Sequence, residues 1–124
     1  MSTIKKVSLI FGIIILIGVA YSSISGFFVK PEESNTVMDK FAKCISLKGA
    51  TMYGAEWCGH CKQQKELFGN SFKYVSYVEC PQNQNLCDQM GIEGYPTWVI
   101  NGQKYPGLHS IDDLKQLTGC SLES

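Results

Sequence analysis

The sequence predicts an α/β domain on a four-stranded mixed sheet with helices on both faces, preceded by one N-terminal apolar helix. Three observations predict it. Strand-like and helix-like runs alternate along the chain, and a strand–helix–strand order implies a right-handed parallel pair. Asn101-Gly102, between two short strand-like runs, is a strong hairpin signal and adds an antiparallel pair. Residues 7–29 carry no charge, unlike anything that follows.

That apolar run comes first. Its 23 residues reach roughly 34 Å as a helix, enough for a bilayer core of about 30 Å. Two readings stay open: an uncleaved transmembrane anchor, or a signal peptide with a small-residue cleavage site at Ala20-Tyr21-Ser22. Ile24, Phe27, Phe28 and Val29 continue the apolar character past that site and favour the anchor. Lys5 and Lys6 precede the run, while Lys30 follows it beside Glu32 and Glu33, so the N-terminus is expected in the cytoplasm. The expected organisation is a cytoplasmic 1–6, an anchor or signal peptide 7–29, a tether 30–36 and a domain 37–124. Both readings deliver that domain to an extracytoplasmic space, on a membrane or secreted.

Val37, Phe41, Cys44, Ile45 and Lys48 recur at helical spacing, predicting an amphipathic helix over 37–48 capped within 34–36 and ended by Gly49. Thr51 to Ala55 reads as a buried strand. Cys58 to Phe68 is helix-like and closes at Gly69-Asn70. Tyr74 to Glu79 is a strand by its aromatic and β-branched content. Residues 81–85 are expected as loop and 86–90 as a short helix before Gly91. Thr97 to Ile100 and Gln103 to Tyr105 form the hairpin. Ser110 caps a last helix, 111–117, with Asp112 and Asp113 at its positive end.

Composition narrows the function. Eleven Lys, no Arg and eleven acids leave the chain neutral; from Lys30 onward nine Lys face eleven acids. Nothing basic invites nucleic acid. Six cysteines in 124 residues are many, and in an oxidising compartment they imply disulfides, with fifteen possible pairings. Cys58 and Cys61 belong together by spacing, and Cys80 and Cys87 are close enough to join as a structural staple. Cys44 and Cys120 remain, paired only by elimination.

Trp57-Cys58-Gly59-His60-Cys61 carries the chemistry. The thiolate is the nucleophile, and a helix N-terminus favours negative charge on Cys58. Cys58 is expected at the exposed end, as the attacking thiol. Cys61, one turn further in, is the resolving thiol. A protonated His60 would stabilise the neighbouring thiolate and make the disulfide more oxidising; His109 has no such neighbour and reads as surface. A zinc site on Cys58, Cys61, Cys80 and Cys87 is the alternative, but its second spacing is wide for one and leaves Trp57 unexplained. Electrons would pass between sulfurs alone, so no cofactor or metal is expected.

With Gly94-Tyr95-Pro96-Thr97, whose Pro96 stands 35 residues after Cys61, the CxxC segment resembles the thioredoxin superfamily over about residues 37–120. The resemblance implies a thioredoxin-like fold and a cis Pro96 beside the CxxC. Trp57, Gly59, Tyr95 and Pro96 would then receive an extended substrate segment. Gly59-His60 is the dipeptide of protein disulfide isomerases. The buried acid that thioredoxins carry six residues before the nucleophile is Met52 here, and Glu56 is expected to be exposed. Tyr53-Gly54-Ala55, Gln64-Lys65-Glu66-Leu67-Phe68-Gly69, Tyr77-Val78-Glu79-Cys80 and Tyr95-Pro96-Thr97-Trp98 more closely resemble thioredoxin-like domains fused to, or partnered with, bacterial vitamin K epoxide reductase homologues. That likeness implies a membrane quinone-linked redox partner. The expected function is a membrane-anchored thiol–disulfide oxidoreductase that oxidises cysteine pairs in exported protein substrates. A reductase or isomerase kept reduced by a transmembrane donor, and a zinc-holding or redox-inert binding module, are the alternatives.

Overall fold

In the computed structural model the described residues are 2–22 and 36–123. The chain divides into two units, Met1–Glu33 and Ser34–Ser124.

The first unit contains helix α1 (Ser2–Ser22), with Ile10, Phe11, Ile14, Ile15 and Leu16 all exposed. Its apolar part, from Val7 to Ser22, rises only about 24 Å at helical pitch. Among the described residues, no helix is long and apolar enough to cross a membrane. The rest of the apolar run and most of the expected tether lie outside the described residues.

The second unit begins with α2 (Val37–Leu47), capped by Thr36 Oγ1, which accepts the Asp39 N–H at 3.1 Å. Strand β1 (Ala50–Gly54), helix α3 (Gly59–Phe68) and strand β2 (Ser76–Glu79) form the parallel crossover. A short helix α4 (Gln84–Gln89) precedes the hairpin of β3 (Thr97–Ile100) and β4 (Gln103–Pro106). Helix α5 (Ile111–Thr118) ends the domain. The sheet runs β2-β1-β3-β4, with β1 parallel to β2 and the other neighbours antiparallel. The expected four-stranded mixed sheet is present. At the hairpin turn Asn101 and Gly102 both have positive φ, 51° and 81°, as a type I′ turn requires.

Most element ends fall within one residue of expectation, and the larger differences lie between α3 and β3. The strand begins at Ser76 rather than Tyr74, because Gly69–Tyr74 forms a 3-10 helix. Ser46 of α2 fixes that junction: its hydroxyl donates to Tyr74 O at 2.8 Å and accepts the Ser76 N–H at 3.0 Å. The expected loop 81–85 is interrupted by a 3-10 turn, Cys80–Gln82, and by the start of α4 at Gln84. α4 accordingly ends at Gln89, one residue short of the expected 90.

Alternation along the strands splits the core into two layers. On one side Ala50, Met52, Trp98 and Ile100 pack with Phe41 and Ile45 of α2, Cys61 and Phe68 of α3, and Leu114 of α5. On the other, Tyr53 and Val99 pack with Cys80 and with Cys87 of α4. Two disulfides close the domain, Cys44–Cys120 and Cys80–Cys87.

Candidate active site

The sheet positions the head of α3. β1 ends at Gly54, the chain turns through Ala55, Glu56 and Trp57, and Cys58 becomes the N-cap residue. Its backbone is extended, at φ −78° and ψ 120°, and its N–H donates to Ala55 O at 3.1 Å. A cap side chain normally supplies oxygen to the first free amides. Here sulfur does so: the Cys61 N–H donates to Cys58 Sγ at 3.1 Å. The first turn of α3 thus aims a dipole at one sulfur and brings the second beneath it.

Cys58 and Cys61 are free thiols. Cys58 is 7% exposed and Cys61 0%. The expected order holds, but Cys58 is a buried residue with an open edge rather than an exposed one. The exposure lies with its neighbours, since Glu56, Trp57, Gly59 and His60 all face solvent. Burial, and then the hydrogen bond with Cys58, pushes the Cys61 thiol up to about 11. A backbone hydrogen bond at Ala55 and the positive charge of Lys65 pull weakly the other way.

The second segment lies beside the first. The Tyr95–Pro96 peptide is cis, as the resemblance implied, and Pro96 is buried. Trp57 is 71% exposed, and its ring meets Tyr95 edge-on at 5.9 Å between centroids. His60 sits exposed in the first turn, its Nδ1 3.4 Å from Gln63 Oε1. Nothing stands within 4 Å of a Cβ placed on Gly59, so that position is glycine without steric demand from this chain.

Of the four sulfurs a zinc site would need, Cys80 and Cys87 are bonded to each other. Cys44 and Cys120, paired only by elimination above, are indeed joined.

A family model described as Thioredoxin matches residues 35–118. The chain belongs to the thioredoxin family. It is 42% identical over 91 residues to the thiol-disulfide oxidoreductase LTO1 of Arabidopsis thaliana, covering 66% of this chain and 24% of that protein. It is 33% identical to protein disulfide-isomerase 1 of Dictyostelium discoideum, covering 88% of this chain and 34% of that one. The chain therefore spans a quarter to a third of the length of these relatives. Among solved structures, a mutant thioredoxin from Halobacterium salinarum NRC-1 is similar at a TM-score of 0.45 and 26% identity, covering 56% of this chain and 69% of that chain.

For a thioredoxin-family site, two features that carry the resemblance gain a role only from the structure. Gln64 is fully buried one turn after Cys61. Its Oε1 accepts from Trp98 Nε1 at 3.1 Å and from the His109 N–H at 2.8 Å, and its Nε2 donates to His109 O at 2.9 Å. This single amide ties α3 to β3 and to the loop before α5. A polar residue on the apolar stripe Cys61, Gln64, Phe68 was the available signal. The second feature is on β2, where Tyr77 Oη donates to Glu79 Oε2 at 2.5 Å and Glu79 Oε1 accepts the Glu56 N–H at 2.8 Å. Met52, at the position of the absent acid, is fully buried, and Glu56 is exposed, as expected.

Proposed function

We propose that this domain is a thiol–disulfide oxidoreductase that oxidises cysteine pairs in exported proteins. One observation carries it: a free dithiol at the head of α3, its outer sulfur bonded to a helix amide and bordered by exposed Trp57. In the oxidised state a client thiolate attacks Cys58 Sγ, forming a mixed disulfide and releasing Cys61 as a thiol. The client's second thiolate attacks its own sulfur in that bond and frees Cys58. The client gains a disulfide; Cys58 and Cys61 gain two electrons and two protons. Trp57 and Tyr95 offer aromatic surface for the client segment. The names carried by the Arabidopsis and Dictyostelium relatives fit this chemistry.

The place of action belongs to the same proposal. Two bridged cysteine pairs suit an oxidising, extracytoplasmic compartment. Uncharged residues 7–29, behind Lys5 and Lys6, suit a membrane tether with its N-terminus in the cytoplasm. A membrane quinone-linked partner, like the vitamin K epoxide reductase homologues, would accept the electrons, and tethering would raise its effective concentration. The opposite direction, as a reductase or isomerase, uses the same atoms and differs in redox potential.

The test is catalysis with a reduced model protein in a glutathione buffer, with the potential of the Cys58–Cys61 couple measured alongside. The proposal expects faster oxidation of the model protein, abolished by Cys58→Ala, and a potential well above that of thioredoxin, about −270 mV. A potential at or below that value assigns the reductive direction. An unchanged rate of thiol loss overturns the exchange chemistry.

A further inference from the structure

Exchange at Cys58 leaves one proton without a destination. Cys61 must be a thiolate to attack and must recover a proton when it is displaced. Burial holds its thiol above the ordinary range, so at neutral pH little of the anion would be present unaided. Met52, which occupies the position of the thioredoxin acid, takes no proton.

The titratable groups that act on Cys61 come from two elements. α3 contributes Cys58 and Lys65. β2 contributes Tyr77, backed by Glu79. Gly54 pairs with Glu79 in the parallel ladder and marks where these groups converge. A Cβ on Gly54 would stand 3.0 Å from Cys61 Sγ, 3.3 Å from Tyr77 Cε2 and 3.4 Å from Tyr77 Oη. Thiol and phenol therefore face one gap that only glycine leaves open. Behind the phenol, Glu79 is half-buried and has a route to water. Lys65 Nζ lies 4.0 Å over the Tyr77 ring and clamps it from the helix side.

We propose that Tyr77 and Glu79 form the proton relay of Cys61, an assignment that rests on the exchange chemistry proposed above. When Cys61 resolves a mixed disulfide, the Cys61 Sγ–Cys58 Sγ bond forms and the bond from Cys58 to the client sulfur breaks. The client leaves with the electron pair as a thiolate. The Cys61 proton passes to Tyr77 Oη, whose own proton passes to Glu79 Oε2 and from there to water. In the oxidising direction the relay runs backwards: protonated Glu79 returns a proton through Tyr77 to the displaced Cys61 thiolate. Burial and the Glu79 bond hold the Tyr77 phenol above its ordinary range, so it hands protons on without standing as a phenolate.

The test uses the full chain, reduced, with dithiobis(nitrobenzoate). Cys58 releases one coloured thiol and forms a mixed disulfide; Cys61 then releases a second. Stopped-flow absorbance separates the phases from about pH 6 to about pH 11. Glu79→Gln is isosteric and cannot take a proton. It should slow the second phase on the order of a hundredfold near pH 7 and spare the first. The gap should close as pH rises, where Cys61 ionises without help. Tyr77→Phe, which leaves the Glu79 bond to Glu56 intact, should slow the second phase about tenfold with the same closing gap. It carries the test if Glu79→Gln melts early. A wild-type pH profile in both variants, or a slowing equal at all pH values, overturns the relay while leaving the exchange chemistry standing. A wild-type chain that releases neither thiol overturns both.

Discussion

Two closely spaced cysteine pairs share this domain in opposite states. Cys58 and Cys61 are free; Cys80 and Cys87 are joined. Both pairs involve the start of a helical turn, and all four residues are buried. The surroundings differ. Around the free pair stand a helix amide on Cys58 Sγ and the titratable groups Lys65, Tyr77 and Glu79. Around the bridged pair stand Tyr53, Val99, Val78, Met90 and Ile92. Both pairs touch apolar core, but only the free pair also meets a helix amide and titratable groups that let a sulfur change charge. Short spacing alone does not make a redox pair; placement against donors and acceptors does.

The comparison breaks most sharply on activity. Cys58→Ala should remove thiol exchange below detection, while replacing both Cys80 and Cys87 by Ala should leave the rate within about twofold, since neither sulfur is a nucleophile. Oxidation of a reduced model protein measures both.

Stability should show the opposite ranking. Removing Cys44–Cys120, which spans 76 residues, should cost about 4.5 kcal/mol by loop entropy; removing Cys80–Cys87, which spans 7, about 2.5 kcal/mol. Denaturant unfolding of the two double-alanine variants checks this, and Cys58→Ala should lose far less.

Alkali sharpens the contrast further. Cys61 titrates higher in the fold than its ordinary value of 9.0. Its neutral form therefore stabilises the fold in full below about pH 9, and that contribution fades as pH rises toward 11. Tyr77, also raised, extends the loss upward. The denaturation midpoint should fall across this window, and Cys61→Ala should flatten the lower part. The bridged pair, which does not titrate, contributes nothing to the slope.

The smallest effect lies away from both pairs. Ser110 and Asp113 form a capping box on α5, with Ser110 Oγ accepting the Asp113 N–H at 3.1 Å and the Asp113 carboxylate accepting the Ser110 N–H at 3.0 Å. Ser110→Ala should cost about 1 kcal/mol with exchange activity unchanged.

What the sequence disclosed follows the range of the forces involved. The hairpin at Asn101-Gly102, the cap at Ser110 and the dithiol at a helix head are local, and each was legible from a few adjacent residues. The cis Pro96 followed from resemblance. The junction at Ser76 was not legible, because it depends on Ser46, thirty residues away. Gln64 reaches His109 across 45 residues, and nothing near Gln64 in the chain announces its partner. Tyr77 and Glu79 are legible in the sequence only as part of a strand. Their link to each other is local, but their approach to Cys61 exists only once β1 and β2 pair. The apolar run 7–29 was conspicuous, yet its later part lies outside the described residues.

Trapping the mixed disulfide at Cys58 decides whether this domain exchanges thiols. Cys61→Ala, incubated with a client carrying a reducible disulfide and then quenched with alkylating reagent, should accumulate a covalent complex. Peptide mapping should find the crosslink at Cys58 and nowhere else. A crosslink at Cys80 or Cys87, or no complex while the same variant's Cys58 remains open to alkylation, would contradict the account.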